Sequence, residues 1–132
     1  MSTKNLALRT ATNRTVKGPL FRKDGEGITV EYDCEDDDGS TRWSRVEFAE
    51  ILDFEYRQAS CCDAQDILGP KEMLCLDSSD RLTALLTRWQ DSVGWQERNA
   101  KQGGSERFKH FKLFFDDVGC VDVVAGSVRI PD

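Results

Sequence analysis

Two stretches of period-2 alternation constrain this chain more than any other feature. Between Arg42 and Arg57, Val46 and Phe48 alternate with charged residues, and Leu52, Phe54 and Tyr56 then alternate one step out of phase. Further on, Phe111, Leu113 and Phe115 alternate with His110, Lys112 and Phe114. Asp116-Asp117-Val118-Gly119 then offers a turn before Cys120 to Ala125 return. Successive side chains of a strand point to opposite faces, so both stretches predict half-buried antiparallel strands, the second pair forming a hairpin. The slip of phase around Ala49 to Ile51 predicts a bulge or tight bend. If Leu52, Phe54 and Tyr56 point inward, Asp53, Glu55 and Arg57 face solvent. His110, between Lys109 and Phe111, falls on the outward phase.

The remaining elements attach to this framework. Gly18-Pro19 and Gly25-Glu26-Gly27 read as turns, followed by a short β run from Ile28 through Cys34. Glu35-Asp36-Asp37-Asp38-Gly39-Ser40 carries the Asp-Gly that hairpin turns favour. Gly69-Pro70 breaks the chain ahead of a strand at Glu72 to Leu76. The one helix is expected at about residues 80–93, with N-cap choices in Asp77-Ser78-Ser79-Asp80 and an apolar stripe of Leu82, Leu85, Leu86, Trp89 and Val93. Residues 94–106 are polar and Gly-rich and read as a mobile loop carrying Trp95. Val128 and Ile130 suggest a last short strand. These elements define an α+β chain: a mostly antiparallel sheet of five to seven strands with one main helix and a C-terminal β-hairpin. At 132 residues the chain fits one domain. Residues 1–23 are read as a basic segment, an edge strand or an arm, and residues 24–132 as the globular α+β unit.

Charge is distributed unevenly. Residues 1–23 carry six bases and no acid, whereas residues 24–66 carry fourteen acids against Arg42, Arg45 and Arg57. The middle third therefore presents a negative field, which repels nucleic acid and steers basic proteins, unless the basic segment folds back on it and cancels part of it. Arg107-Phe108-Lys109-His110-Phe111-Lys112 interleaves bases with aromatics, but a pI near 4.8 speaks against direct nucleic-acid binding. No apolar run approaches the length that spans a bilayer, and residues 1–15 lack the apolar core of a secretory signal, so a cytoplasmic protein without membrane contact is expected.

The residues that carry chemistry are few. A single histidine, His110, with no partner legible beside it, argues against acid–base or nucleophilic catalysis. Cys34, Cys61, Cys62, Cys75 and Cys120 are odd in number and form no C-x-x-C pair, so free thiols are expected, with a vicinal Cys61–Cys62 bond as the less favoured alternative. The acidic run at 33–39 fails the calcium-loop test, because Arg45 stands where a bidentate Glu is required. Asp116, Asp117 and Asp122 could line an ion site but are explained as turn residues. No catalytic residue, metal or cofactor is therefore expected.

A small acidic chain with a strand segment such as WSRVEFAEILDFEYR and a terminal hairpin such as HFKLFFDDVGCVDVVAG resembles, in size, acidity and β-rich architecture, the immunity proteins of bacterial contact-dependent growth inhibition and related polymorphic-toxin systems. The resemblance implies a non-enzymatic cytoplasmic protein that neutralises one basic cognate toxin, in many such systems a nuclease, by tight binding. It transfers no residue role. From the charge pattern, the expected partner-binding set is Glu31, Asp33, Glu35, Asp36, Asp37 and Asp38, then Glu47, Glu50, Asp53 and Glu55, with Trp43 or Trp95 as aromatic anchors. An adaptor or subunit of a larger bacterial assembly is the alternative, and a small metal-dependent hydrolase using Asp116, Asp117, Asp122 and His110 the third reading.

Overall fold

The fold is that of a computed structural model, which describes residues 3–25, 27–69, 71–90, 94, 95, 97, 104–116 and 118–131. Seven strands make one antiparallel sheet: β1 (Thr3–Ala7), β2 (Leu20–Asp24), β3 (Gly27–Glu35), β4 (Thr41–Gln58), β5 (Glu72–Leu76), β6 (Lys109–Phe115) and β7 (Gly119–Arg129). Their spatial order is β1-β5-β6-β7-β4-β3-β2, and helix α1 (Asp80–Trp89) joins β5 to β6. The α+β class, the antiparallel sheet and the C-terminal hairpin agree with the sequence reading.

The inner face of the sheet carries the main core. Val30 and Tyr32 of β3, Val46 and Phe48 of β4, Met73 of β5, Phe111, Leu113 and Phe115 of β6, and Val121, Val123 and Ala125 of β7 are all buried there. Tyr32 and Phe115 meet edge to face with ring centroids 5.3 Å apart. Burial pushes the Tyr32 hydroxyl up to about 12. That hydroxyl donates to the Thr10 carbonyl at 2.8 Å. Thr10 belongs to the segment that leaves β1 at one sheet edge and reaches β2 at the other.

The segment is held at several points. The Leu8 N–H donates to the Lys71 carbonyl, the Glu35 N–H donates to the Arg14 carbonyl, and the peptide before Pro19 is cis. The first 23 residues thus supply an edge strand at one side of the sheet and four residues of β2 at the other, and the boundary expected after Lys23 falls inside β2.

The bend in β4 is real, and it reassigns side chains. Glu50 has a φ of 58°, a left-handed conformation uncommon for a side chain with a Cβ. Pairing with β7 then shifts register between Ile51 and Asp53. The shift places Leu52 on the opposite face from Phe54, so Leu52 packs with Leu82, Leu85, Leu86, Phe108 and Val124 beneath α1. Asp53 and Glu55, expected in solvent, are half-buried and pair with Arg81 of the same helix, and Arg57 turns to Asp122 and Asp66. Phe54 keeps its inward position, its ring 5.1 Å from Phe21 of β2.

The helix starts where the cap signal predicted and stops earlier. The Ser79 hydroxyl accepts the Leu82 N–H at 3.1 Å. Trp89, assigned to the buried stripe, is 39% exposed, and Val93 lies outside the described residues. The β3–β4 turn closes with the Asp36 N–H donating to the Ser40 carbonyl, and Gly39 takes a φ of 84° that the Asp-Gly pair supplies without steric cost. β7 runs unbroken to Arg129, absorbing the separate last strand expected at Val128.

The cysteine expectation is overturned. Cys62 and Cys120 are joined by a disulfide with Cα atoms 6.2 Å apart, while Cys34, Cys61 and Cys75 are free. They are 58 positions apart and meet because Gln58 pairs with Gly119 at the end of the β4–β7 ladder. Nothing local in the sequence marks that proximity.

Candidate functional site

Two regions of the outer face concentrate polar groups. The first is the bare half of the sheet. Helix α1 packs on β6, β7 and the C-terminal half of β4. Leu20, Trp43 and Arg45, on the outward face of β2 and the first half of β4, are exposed, whereas on β3 the outward Asp33 is covered by residues 16–18. Paired strands keep paired residues on one face, so the register Leu20↔Glu31↔Arg45 and Asp33↔Trp43 arranges these side chains side by side. Leu20 is 52% exposed and Trp43 46%.

The acidic residues expected to form one binding surface divide into three groups. Asp33 is removed from the surface altogether, at 1% exposure. Its carboxylate accepts the backbone N–H groups of Val16, Lys17 and Gly18 at 2.9 to 3.3 Å. Burial opposes the charge of Asp33, but those three donors outweigh it and hold the carboxyl below its usual range. Asp33 is a structural clamp on the edge-to-edge segment, and only a contact sixteen residues away in sequence reveals it.

A second group is acidic but already paired. Glu31 meets Arg22, Asp36 meets Arg42 at 3.0 Å, and Glu47 meets Arg45 at 3.1 Å and Arg129 at 2.7 Å. Glu50 meets Arg107, and Asp53 and Glu55 share Arg81. The basic N-terminal segment therefore folds back on the acidic strands, through Arg22 on Glu31 and Arg14 on Asp37. The third group remains available at the β3–β4 tip: Glu35, Asp37 and Asp38 are exposed, the Asp37 side chain at 95% even with Arg14 beside it. Hydrogen bonds from Ser40 hold Asp38 below the usual carboxylate range. Trp95, offered as an exposed anchor, instead stacks on Phe108 with centroids 6.2 Å apart and is half-buried.

The second region is a pocket of about 420 Å³ between the start of α1 and the outer face of β5, β6 and β7. It holds a buried ionic network that the sequence did not disclose. His110 is 4% exposed, Asp122 2% and Asp66 3%, so the outward position expected for His110 is corrected. The outward face of β6 is not the solvent face, because α1 lies over it.

Asp122, paired with Lys112 in the β6–β7 register, accepts from Arg57 at 2.6 Å and contacts His110 Nε2 at 2.6 Å. Lys112 lies 3.4 Å from Asp122 and also bonds Asp66, which Arg57 contacts at 3.1 Å. Burial works against the charge of Asp122, but His110, Lys112 and Arg57 together keep it well below the usual carboxylate range. The same balance, with Lys112 dominant among the partners, lowers Asp66.

An ionised Asp122 can only accept, so His110 Nε2 carries the proton and donates to it. That leaves Nδ1 as an acceptor, and the Ser79 hydroxyl stands 2.8 Å from it. Ser79 is partly exposed at the pocket, whereas His110 and Asp122 are covered.

Of the ion site considered at the C-terminal hairpin, the structure brings together His110 and Asp122. Asp122 belongs to the network just described, Asp117 lies outside the described residues, and among the described residues no group of three or more His, Cys, Asp or Glu side chains is placed to hold a metal. No family model, curated protein or solved structure matches this chain.

Proposed function

We propose that this chain is a binding protein of the immunity type, which neutralises a basic toxin domain, a nuclease in the simplest case, by occupying its cationic surface. The observation that carries the reading is the bare half of the outer face, which ends in the exposed carboxylates Glu35, Asp37 and Asp38 and displays Trp43 and Leu20 beside them. Acidic groups at a rim raise the association rate with a cationic partner, and a large ring beside them supplies the desolvated contact that dominates affinity. With Asp33, Asp53 and Glu55 engaged inside the fold, the docking set contracts to Glu35, Asp37, Asp38 and Trp43, flanked by the Glu31–Arg22 and Glu47–Arg129 pairs.

The partner is a basic protein, and neither nucleic acid nor a membrane is a ligand in this reading. No helix among the described residues is long and apolar enough to cross a membrane. We assign the protein to the cytoplasm, where a nuclease would act. The Cys62–Cys120 bond fits a more oxidising setting, and thiol titration of the protein isolated from its host decides between them.

The test is affinity capture from host lysate at low salt, followed by inhibition and kinetics on the purified pair. Recovery of one basic protein in near-equal amount, whose activity this chain inhibits, is expected. Asp37→Lys with Asp38→Lys then slows association on the order of 10-fold at low salt, and the loss shrinks as salt rises. An unchanged on-rate removes the tip from the interface. Recovery of several subunits of one complex in place of a single inhibited protein establishes the adaptor reading.

A further inference from the structure

We infer that Ser79 is a reactive nucleophile, activated by His110 and Asp122, which takes an acyl group from small ester substrates entering the pocket beneath α1. The inference concerns a different part of the molecule from the bare sheet face and stands whether or not that face binds a toxin.

The geometry is that of a nucleophile, a base and a group that orients the base. Ser79 Oγ lies 2.8 Å from His110 Nδ1, and His110 Nε2 lies 2.6 Å from an Asp122 oxygen. Imidazole and carboxylate are both almost fully covered, which fixes the ring orientation, and with Nε2 bonded to Asp122 the neutral imidazole presents Nδ1 as an acceptor. Arg57 anchors the far oxygen of Asp122, so the carboxylate keeps its position. Ser79, His110 and Asp122 all line the pocket, and the serine is the most exposed of them. A helix cap needs nothing more than the hydroxyl and the Leu82 N–H; it does not explain a buried His–Asp pair aligned behind the same oxygen.

The walls suit a short acyl chain. Leu74 and Leu76 supply apolar surface beside the ion-paired Arg81 and Lys112. Of the first-turn N–H groups of α1, Leu82 already donates to the Ser79 hydroxyl and Thr83 to the Ser79 carbonyl, so a developing oxyanion would draw on those of Asp80 and Arg81.

The step is acyl transfer. Ser79 Oγ bonds to the carbonyl carbon while its proton passes to His110 Nδ1. The C–O bond to the alcohol breaks, and that proton leaves with the alcohol. Water then attacks the acyl-serine, gives one proton to Nδ1, and releases the acid as the proton returns to Ser79.

A fluorophosphonate probe tests the assignment on the folded full-length chain. Attack forms Ser–O–P, expels fluoride, and releases the serine proton through His110, so the adduct is read by mass spectrometry. The expected result is one adduct at Ser79, formed on the order of 100-fold faster than in the urea-unfolded chain. Ser79→Asn, which keeps an oxygen for the cap, abolishes it, and His110→Gln slows it comparably. Because the comparison with unfolded chain uses the wild-type protein, it holds even where His110→Gln does not fold. No adduct at Ser79, or one formed no faster than in urea, overturns the proposal and leaves Ser79 as a cap alone.

Discussion

Asp33 shows how far a residue's chemistry depends on what the chain brings to it. In sequence it is one acid in an acidic run; in the fold it is a buried acceptor for the backbone N–H groups of Val16, Lys17 and Gly18. Removing it leaves those donors unsatisfied, so Asp33→Ala should cost about 3 kcal/mol in chemical denaturation, whereas Asp38→Ala at the exposed tip should stay within about 0.5 kcal/mol of wild type. Equal losses at the two positions would contradict the clamp. Neither pattern nor composition separates these two aspartates, because the distinguishing contact spans a loop rather than a turn of secondary structure.

At the scale of elements, the alternation along the first half of β4 and along β6 was legible because period-2 spacing is a property of the strand itself, and it set Val46, Phe48, Leu113 and Phe115 apart from their charged neighbours, on the buried side. The helix start was legible for the same kind of local reason, a serine placed to accept from the third residue onward. What the alternation left open was which outward face stays wet. A strand buried on both faces still alternates when its second face is polar, as in Lys112 and Asp122, and only the helix laid across it turns those charges into a paired network. That network makes stability depend on acid in a defined direction. Asp122 and Asp66 have folded values below their unfolded ones, so their stabilisation is fully present above about pH 4 and is lost as pH falls through that value toward the folded ones. Urea midpoints should therefore fall progressively as pH drops below about 4. Asp122→Asn, which leaves Arg57 and Lys112 without part of their counter-charge, should already be weaker by about 3 kcal/mol at pH 7 and show a shallower acid slope. A variant with the wild-type slope would place the acid sensitivity elsewhere.

The whole molecule is tied together by one long-range bond. Cys62–Cys120 closes a loop of 58 positions between the turn after β4 and the start of β7, the second strand of the terminal hairpin. The chain-entropy account gives a closure of that length about 4 kcal/mol. Thiol titration of the unreduced, denatured protein should find three reactive cysteines, and reduction should lower the urea midpoint; five reactive cysteines would mean that the pair stays reduced.

By itself the sequence determined the strand periods, the turn chemistry at Asp38-Gly39, the helix cap and the single-sheet class, all of which depend on neighbours within a few residues. The tertiary structure alone decided which charges are surface and which are core. The edge-to-edge segment seats on Asp33, the β4 bend turns Leu52 and Asp53 under α1, and α1 brings Ser79 onto His110 and Asp122. Each contact joins residues well separated along the chain, and a linear pattern carries no information about such distances until the sheet order β1-β5-β6-β7-β4-β3-β2 sets them.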